Sequence, residues 1–313
     1  MLIGSKLPPE RVDRTYFHTG RAAFSYLIGQ VIKPKKVYLP TFTCWSLVSA
    51  MVQRFPQVEL EFYLVRRDLT CIYPSHIKKC EALVIIHFFG HENIAALPPC
   101  DGVLIDDFSH SYMSQIAPKG HYVFGSYRKL LKVADGGFLW GFFNPIYEPN
   151  RKLDSWLRFE AKDWRDIREA ENMLDRDWSI SDIGSQSLEI ILTANESIVR
   201  QKRQKNERCL AQNLSVGSPQ LTYRSKECPL LHNRFLATRD ERNSLRTYLA
   251  SKGIFTSIHW PTHDVVHKCG LDIKETLWIE EHVISFPVIQ EYGINDMEYI
   301  CHCVDQWKNK AIN

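Results

Sequence analysis

The sequence predicts an α/β protein, a large unit on a mainly parallel sheet followed by a smaller α+β unit. The two units are expected over residues 1–205 and 206–313. Three observations predict this. Short apolar runs alternate with helix-like stretches from residue 37 to residue 143. Loops rich in hydroxyl and charged residues follow those runs, where the carboxyl ends of parallel strands would lie. Beyond residue 143 the pattern turns to charged stretches at helical spacing, then to shorter strand and helix signals.

Each element has its own signal. Thr19 and Gly20 start a helix that Ala22, Ala23 and periodic apolar residues carry to Ile32. Residues 37–40 (VYLP) form a strand, 41–46 a loop and 47–52 a helix. Strands follow at 60–65 and 83–87, then a turn, Phe88-Phe89-Gly90, and a helix-like stretch. Further strands are expected at 103–107, 122–124 and 138–143. Residues 150–176 carry Trp156, Phe159, Trp164 and Ile167 at roughly helical spacing, and 187–213 read as one long helix. Its basic run at 200–205 reads as a solvated face. The smaller unit has strand signals at 221–223, 233–237, 256–260 and 284–287, and helices at 239–252 and 296–308.

Composition narrows the function. The chain of 313 residues can bury a substantial core without staples, and 44% apolar with 24% charged residues is ordinary for a soluble globular protein. A net charge of +3 does not suggest a nucleic-acid or acidic-membrane binder. Nine scattered cysteines without C-x-x-C argue against a zinc ribbon or disulfide framework and for reduced thiols. No apolar run approaches the roughly 18 residues of a membrane span. The opening MLIGSKLPPERVDR lacks the apolar segment of a signal peptide. A cytoplasmic protein is expected.

Residues 103–137 concentrate the chemistry. The strand at 103–107 ends on two carboxylates, Asp106 and Asp107, and His110 follows. Ser126 and Lys129 make a Ser-x-x-Lys, and Gly136-Gly137 precede the next strand. Pyridoxal phosphate needs such a set: a lysine for the Schiff base and proton transfer, a carboxylate for the pyridine nitrogen, and hydroxyls, N–H groups or an arginine for the phosphate. Lys129 is assigned the first role, with Lys132 as competitor. Asp107 is assigned the second, with His110 near the ring hydroxyl or face. Ser126 and the helix start at Gly20, Arg21 and Ala22 are assigned the phosphate. A capped helix packed on a sheet would give the same signal at Gly20.

These motifs resemble the DegT group of fold-type-I pyridoxal-phosphate aminotransferases. Thr19-Gly20-Arg21-Ala22-Ala23-Phe24 resembles its phosphate motif, S-G-(T/R)-A-A-L. Val37 to Thr43 is similar to its V-I-V-P-x-(Y/F)-T segment, and His87-Phe88-Phe89-Gly90 to its V-H-x-(Y/F)-G. Ile105 to His110 is similar to I-E-D-A-A-(Q/H), which favours Asp107 over Asp106. Ser285-Phe286-Pro287-Val288 resembles its S-L-P segment. There are departures. The serine-to-lysine spacing is shorter than usual for the group. The ring-stacking aromatic falls on Cys44, beside Trp45, and Asp177-Trp178-Ser179-Ile180 stands where the group has N-Y-R-M.

The resemblance implies ping-pong amino transfer from an amino acid to a keto sugar, nucleotide-linked, or a similar keto compound, in a homodimer. Cys44 and Ser46 are expected at the cofactor, and His87, His259, Trp260 and His263 toward the substrate. His259, His263 and His267 are spaced by four, but Pro261 breaks a shared helix, so no metal is expected. Two other readings stay open: elimination or dehydration on the same scaffold, and a non-catalytic protein that keeps the fold.

Overall fold

Eight strands form the main sheet, in the order β1-β8-β7-β6-β5-β2-β3-β4. They are β1 (Arg14–Phe17), β2 (Lys36–Pro40), β3 (Glu59–Val65), β4 (Cys71–Ile72), β5 (Glu81–Ile86), β6 (Val103–Asp107), β7 (Tyr122–Ser126) and β8 (Gly137–Trp140). The computed structural model describes residues 14–140, 169, 172, 173, 177, 179–219 and 224–312. The expected helical stretch over 150–176 lies almost wholly outside these residues, as do the strand over 221–223 and Trp178.

The five central strands, β7-β6-β5-β2-β3, are parallel. Their apolar runs explain this: Ala82, Leu83, Val84 and Ile85 of β5 are wholly buried, as a strand covered on both faces requires. Strand order reverses between β2 and β5. A crevice opens at the carboxyl ends of strands at such a reversal, and ligands bind there in open α/β sheets. The edges are antiparallel: β8 pairs with β7 and β1, and β4 with β3.

Helix α1 (Gly20–Tyr26) begins where the sequence places it, and passes into a π-helical turn at Leu27–Ile32. Thr19 is its N-cap, and its Oγ1 accepts the Ala22 N–H at 3.1 Å. Helix α2 (Trp45–Arg54) follows the loop after β2. No helix forms after Gly90, contrary to expectation. Residues 91–102 are irregular, because Pro98 and Pro99 supply no N–H and Asn93 bonds locally. The Asn93 Oδ1 accepts from Ala95 N at 3.1 Å and its Nδ2 donates to Ile86 O at 3.2 Å. The single long helix expected over 187–213 is two: α3 (Ser185–Thr193) and α4 (Glu196–Asn213). Asn195 breaks it by capping Ile198 N at 3.1 Å.

A second sheet has the order β11-β10-β9, formed by β9 (Ser218–Pro219), β10 (Leu231–Phe235) and β11 (Val283–Pro287). Residues 256–260 contribute only one bridge, Ser257 to Ser285, rather than the expected strand. Helices α5 (Arg239–Ser251), α6 (Asp264–His267), α7 (Lys274–His282) and α8 (Ile294–Ile312) complete the described chain. Two hydrophobic clusters result. Ile284 and Phe286 of β11 pack with Leu210, Leu245, Met297 and Val304 in the smaller one. Val283 and Phe235 belong to the larger cluster, which contains the main sheet. The small sheet thus turns one face to its own helices and the other to the main sheet. No helix among the described residues is long and apolar enough to cross a membrane.

Candidate active site

The two carboxylates that end β6 point to opposite faces, as neighbours in a strand must. Asp106 is fully buried and its Oδ1 lies 2.8 Å from His87 Nε2. Its Oδ2 accepts from the N–H groups of Lys119 and Gly120 at 2.7 and 2.5 Å. Every strong acceptor site on it is in structural use. Asp107 is also buried, and its Oδ1 accepts from Ser109 N at 2.8 Å. Burial raises its carboxyl above the usual carboxylate range, against the Ser109 hydrogen bonds and the charges of His87 and Lys129.

His110 stands beyond the same strand end. Its Nδ1 accepts the Phe89 N–H at 3.2 Å, which leaves the proton of the neutral ring on Nε2. Burial holds it well below its ordinary value, and the charges of Lys129 and His259 add to that. The ring packs against two aromatic neighbours that also touch each other: Phe89 lies at 5.7 Å and Trp260 at 5.4 Å from it, and the two lie 5.8 Å apart, between centroids. His259, before Trp260, meets Phe89 edge-on at 5.5 Å, and its Nδ1 lies 3.1 Å from Ser285 Oγ. Burial, with the Lys129 charge adding, pushes His259 down to about 3.

Lys129 follows β7 after one short turn, with its side chain exposed. Its charge bears on Asp107, His110 and His259 alike, on the side of the sheet where β6 and β7 end. Lys132 is exposed and enters none of these interactions. Ser126 ends β7 beneath the start of α1. A Cβ on Gly20 would come within 2.9 Å of Gly125 O, and one on Gly137 within 2.1 Å of Thr19 O. The glycines let β7, β8 and the helix start meet backbone to backbone, which brings the helix N–H groups beside Ser126.

The remaining assignments divide. The Ala22 N–H is already taken by Thr19 Oγ1 at 3.1 Å, so the Gly20–Arg21 end of the turn, rather than Ala22, is the part suited to an anion. Arg21 is buried there, with Nη2 donating to Asp177 O at 3.1 Å. Cys44 and Ser46 flank the α2 start and bond to each other at 3.1 Å, while Trp45 is exposed. His259 and Trp260 join the site. His87 does not: it is fully buried, Nε2 on Asp106 and Nδ1 accepting from Asn93 N at 3.2 Å, so the substrate role expected of it is corrected to a structural one. His263 caps α6, accepting from Val265 N at 3.2 Å, and its ring lies 5.9 Å from Trp45. Phe89 and Ser285 also reach this region, through His110 and His259; both lie in segments that resemble the DegT group, which gave neither a site role.

The residues fit the expected cofactor. A buried carboxylate bonded only locally, to Ser109 among the described residues, suits a pyridinium nitrogen, a neutral imidazole N–H suits the ring oxygen, and the glycine-lined helix start suits a phosphate.

No family model and no curated protein matches the chain. Solved structures do. The PLP form of a protein described as a sugar aminotransferase from Streptococcus pneumoniae superposes with a TM-score of 0.63 at 14% identity, over 95% of this chain and 87% of that one. A DegT DnrJ EryC1 StrS aminotransferase from Brucella abortus gives 0.63 at 14% identity, over 94% and 85%. The chain has the fold of these aminotransferases. PseC of Helicobacter pylori, an aminotransferase involved in the biosynthesis of pseudoaminic acid, gives a TM-score of 0.63 at 11% identity, over 94% of this chain and 86% of that one. At such identities the likeness carries the architecture, and the chemistry rests on the residues described above.

Proposed function

We propose that the protein is a pyridoxal-phosphate-dependent aminotransferase of the DegT group, moving an amino group from an amino acid to a keto sugar, nucleotide-linked. One observation carries the reading: Asp107 and Lys129 follow from the carboxyl ends of the paired strands β6 and β7, with His110 beside them against Trp260 and His259. When bound, pyridoxal phosphate supplies the carbonyl that accepts the amino group and the ring that stores the electron pair.

The chain's own groups do the rest. Asp107 keeps a proton at the ring nitrogen, which offsets the cost of its burial. His110 donates from Nε2 to the ring oxygen. Ser126, Gly20 and Arg21 bind the phosphate. Lys129 holds the cofactor and then moves a proton at the substrate carbon through Nζ. His259 and Trp260 wall the substrate side, and Cys44 and Ser46 border the site at the α2 start. The same reading takes residues 1–205 as the cofactor-holding unit, 206–313 as the smaller unit, and the protein as a cytoplasmic homodimer. The nine free cysteines support a reducing compartment.

The test is spectroscopic. Protein loaded with pyridoxal phosphate should develop absorbance near the visible edge. An amino donor such as L-glutamate should convert it to the pyridoxamine form. A protein that takes up no cofactor overturns the reading, and one that binds cofactor but never forms pyridoxamine overturns the transaminase part of it.

A further inference from the structure

The small sheet presents two polar side chains on the face that turns toward the main sheet. In β10, His232 and Arg234 point to α4: His232 Nδ1 lies 3.2 Å from Glu207 Oε1, and Arg234 Nη2 donates to Ala211 O at 3.2 Å. Alternation sends Leu231, Asn233 and Phe235 to the opposite face, and Phe235 and Leu231 do pack with the larger cluster. Asn233 is paired directly with Ser285 of β11. Directly opposed residues share a face, with Cβ atoms roughly 4.5–5.5 Å apart. Ser285 Oγ in turn lies 3.1 Å from His259 Nδ1. The chain of neighbours Asn233, Ser285, His259 therefore runs from the small sheet to the edge of the aromatic nest around His110, 6.5 Å from the His259 ring.

Asn233 is 8% exposed, and its Oδ1 is buried without a hydrogen-bond partner among the described residues. A buried amide oxygen left unpaired is costly, and a donor from outside the fold would complete it. The chemistry of that missing partner follows from the surroundings. Two guanidinium groups that bond the segments flanking β10 and β11 are committed to the scaffold: Arg203 Nη1 donates to Pro229 O and Leu230 O, and Arg242 Nη1 to Glu280 O at 2.7 Å. Asn233 and Ser285 are neutral, and burial keeps His259 neutral as well. An unpaired amide oxygen calls for a hydrogen-bond donor, which a hydroxyl supplies and a carboxylate does not.

We propose that Asn233 is a specificity-determining residue whose side-chain amide, beside Ser285 and His259, accepts a hydroxyl of the polyhydroxylated acceptor. The proposal rests on the aminotransferase reading and deepens it by naming the group that reads the acceptor.

The test pairs Asn233→Leu with Asn233→Ser in the full-length, cofactor-loaded protein. L-glutamate serves as amino donor and a nucleoside-diphosphate-linked 4-keto hexose as acceptor probe. Asn233→Leu should raise the acceptor KM roughly 10- to 100-fold. Asn233→Ser should restore part of that loss. The half-reaction with L-glutamate should stay within about twofold of wild type. The leucine variant should also unfold about 1–4 °C higher, because it removes an unpaired buried amide. An acceptor KM unchanged in Asn233→Leu overturns the proposal, as does a lower unfolding midpoint, which would make the amide a structural hydrogen-bonding group. Wild-type protein that takes up no pyridoxal phosphate overturns the parent reading, and the proposal with it.

Discussion

Asp106 Oδ1 and His87 Nε2 lie 2.8 Å apart with both side chains wholly buried. That contact separates two adjacent carboxylates into a structural and a chemical one. His87→Leu leaves an Asp106 oxygen without its partner and removes the acceptor of the Asn93 N–H. It should cost about 1–3 kcal/mol of stability. Urea unfolding measures this, and unchanged stability would return His87 to the list of substrate residues.

Asp107→Asn should do the opposite. Burial makes the Asp107 charge unfavourable in the cofactor-free protein. A neutral amide of the same shape removes that penalty, so the cofactor-free variant should unfold on the order of 2–4 °C higher, as roughly 1 kcal/mol is worth in a domain of this size. Turnover should fall on the order of 10²-fold or more, because an amide supplies no charge to a pyridinium proton. A variant both less stable and fully active would reverse the roles of Asp106 and Asp107.

Lys129 and Lys132 are separated by a direct comparison. Lys129→Ala should abolish the visible-edge absorbance of added pyridoxal phosphate and reduce turnover about 10⁴-fold. Lys132→Ala should keep both, since Lys132 enters none of the interactions that tie Lys129 to Asp107, His110 and His259. Absorbance retained in Lys129→Ala and lost in Lys132→Ala would exchange them.

The part of the site that could be read from sequence is the part that is local. Asp107, His110, Ser126 and Lys129 fall within one stretch, and the order of strand, acid, histidine and Ser-x-x-Lys survives folding because each step is a strand end or a single turn. His87 was open to misreading because a residue just past a strand end faces the crevice or the sheet according to parity, which composition does not reveal. Strand β1 escaped notice because Arg-Thr-Tyr-Phe has no alternation and forms only by pairing with β8. Asn233 and Ser285 became neighbours through a register between strands some fifty residues apart, and Phe89 entered the site through its N–H and its ring together. Contacts of that kind have no local pattern.

Gly137 tests the phosphate cradle. An alanine Cβ there would sit 2.1 Å from Thr19 O, which is backbone and part of the α1 start. The helix start must therefore move away from β8 and Ser126. Gly137→Ala should weaken pyridoxal-phosphate binding at least about 10-fold and cost roughly 1–3 kcal/mol as an overpacked site. Titration of absorbance against cofactor, with thermal unfolding, reads both. Affinity at the wild-type level would place the phosphate elsewhere.

The buried histidines fix how the cofactor-free protein responds to acid. His110 and His259 are both held below their ordinary value by burial, His259 down to about 3, and His18 and His232 are lowered in the same direction. A lowered histidine binds its proton more weakly in the folded chain than in the unfolded one, whose imidazoles titrate near 6.5. Its contribution to stability is therefore fully present above about pH 6.5 and is lost as the pH falls toward the folded value. Each such residue contributes a slope of about 1.4 kcal/mol per pH unit within that window. Asp107, raised by burial, acts in the opposite sense: its penalty is relieved as acid neutralises it. With several histidines against one carboxyl, stability should fall by a few kcal/mol between pH 7.5 and 5.5 in urea unfolding. His259→Gln should lower the mean slope over that interval by about half a proton, and by nearly one proton at its acid end. Equal stability at the two pH values would mean that these rings are not held neutral in the folded protein.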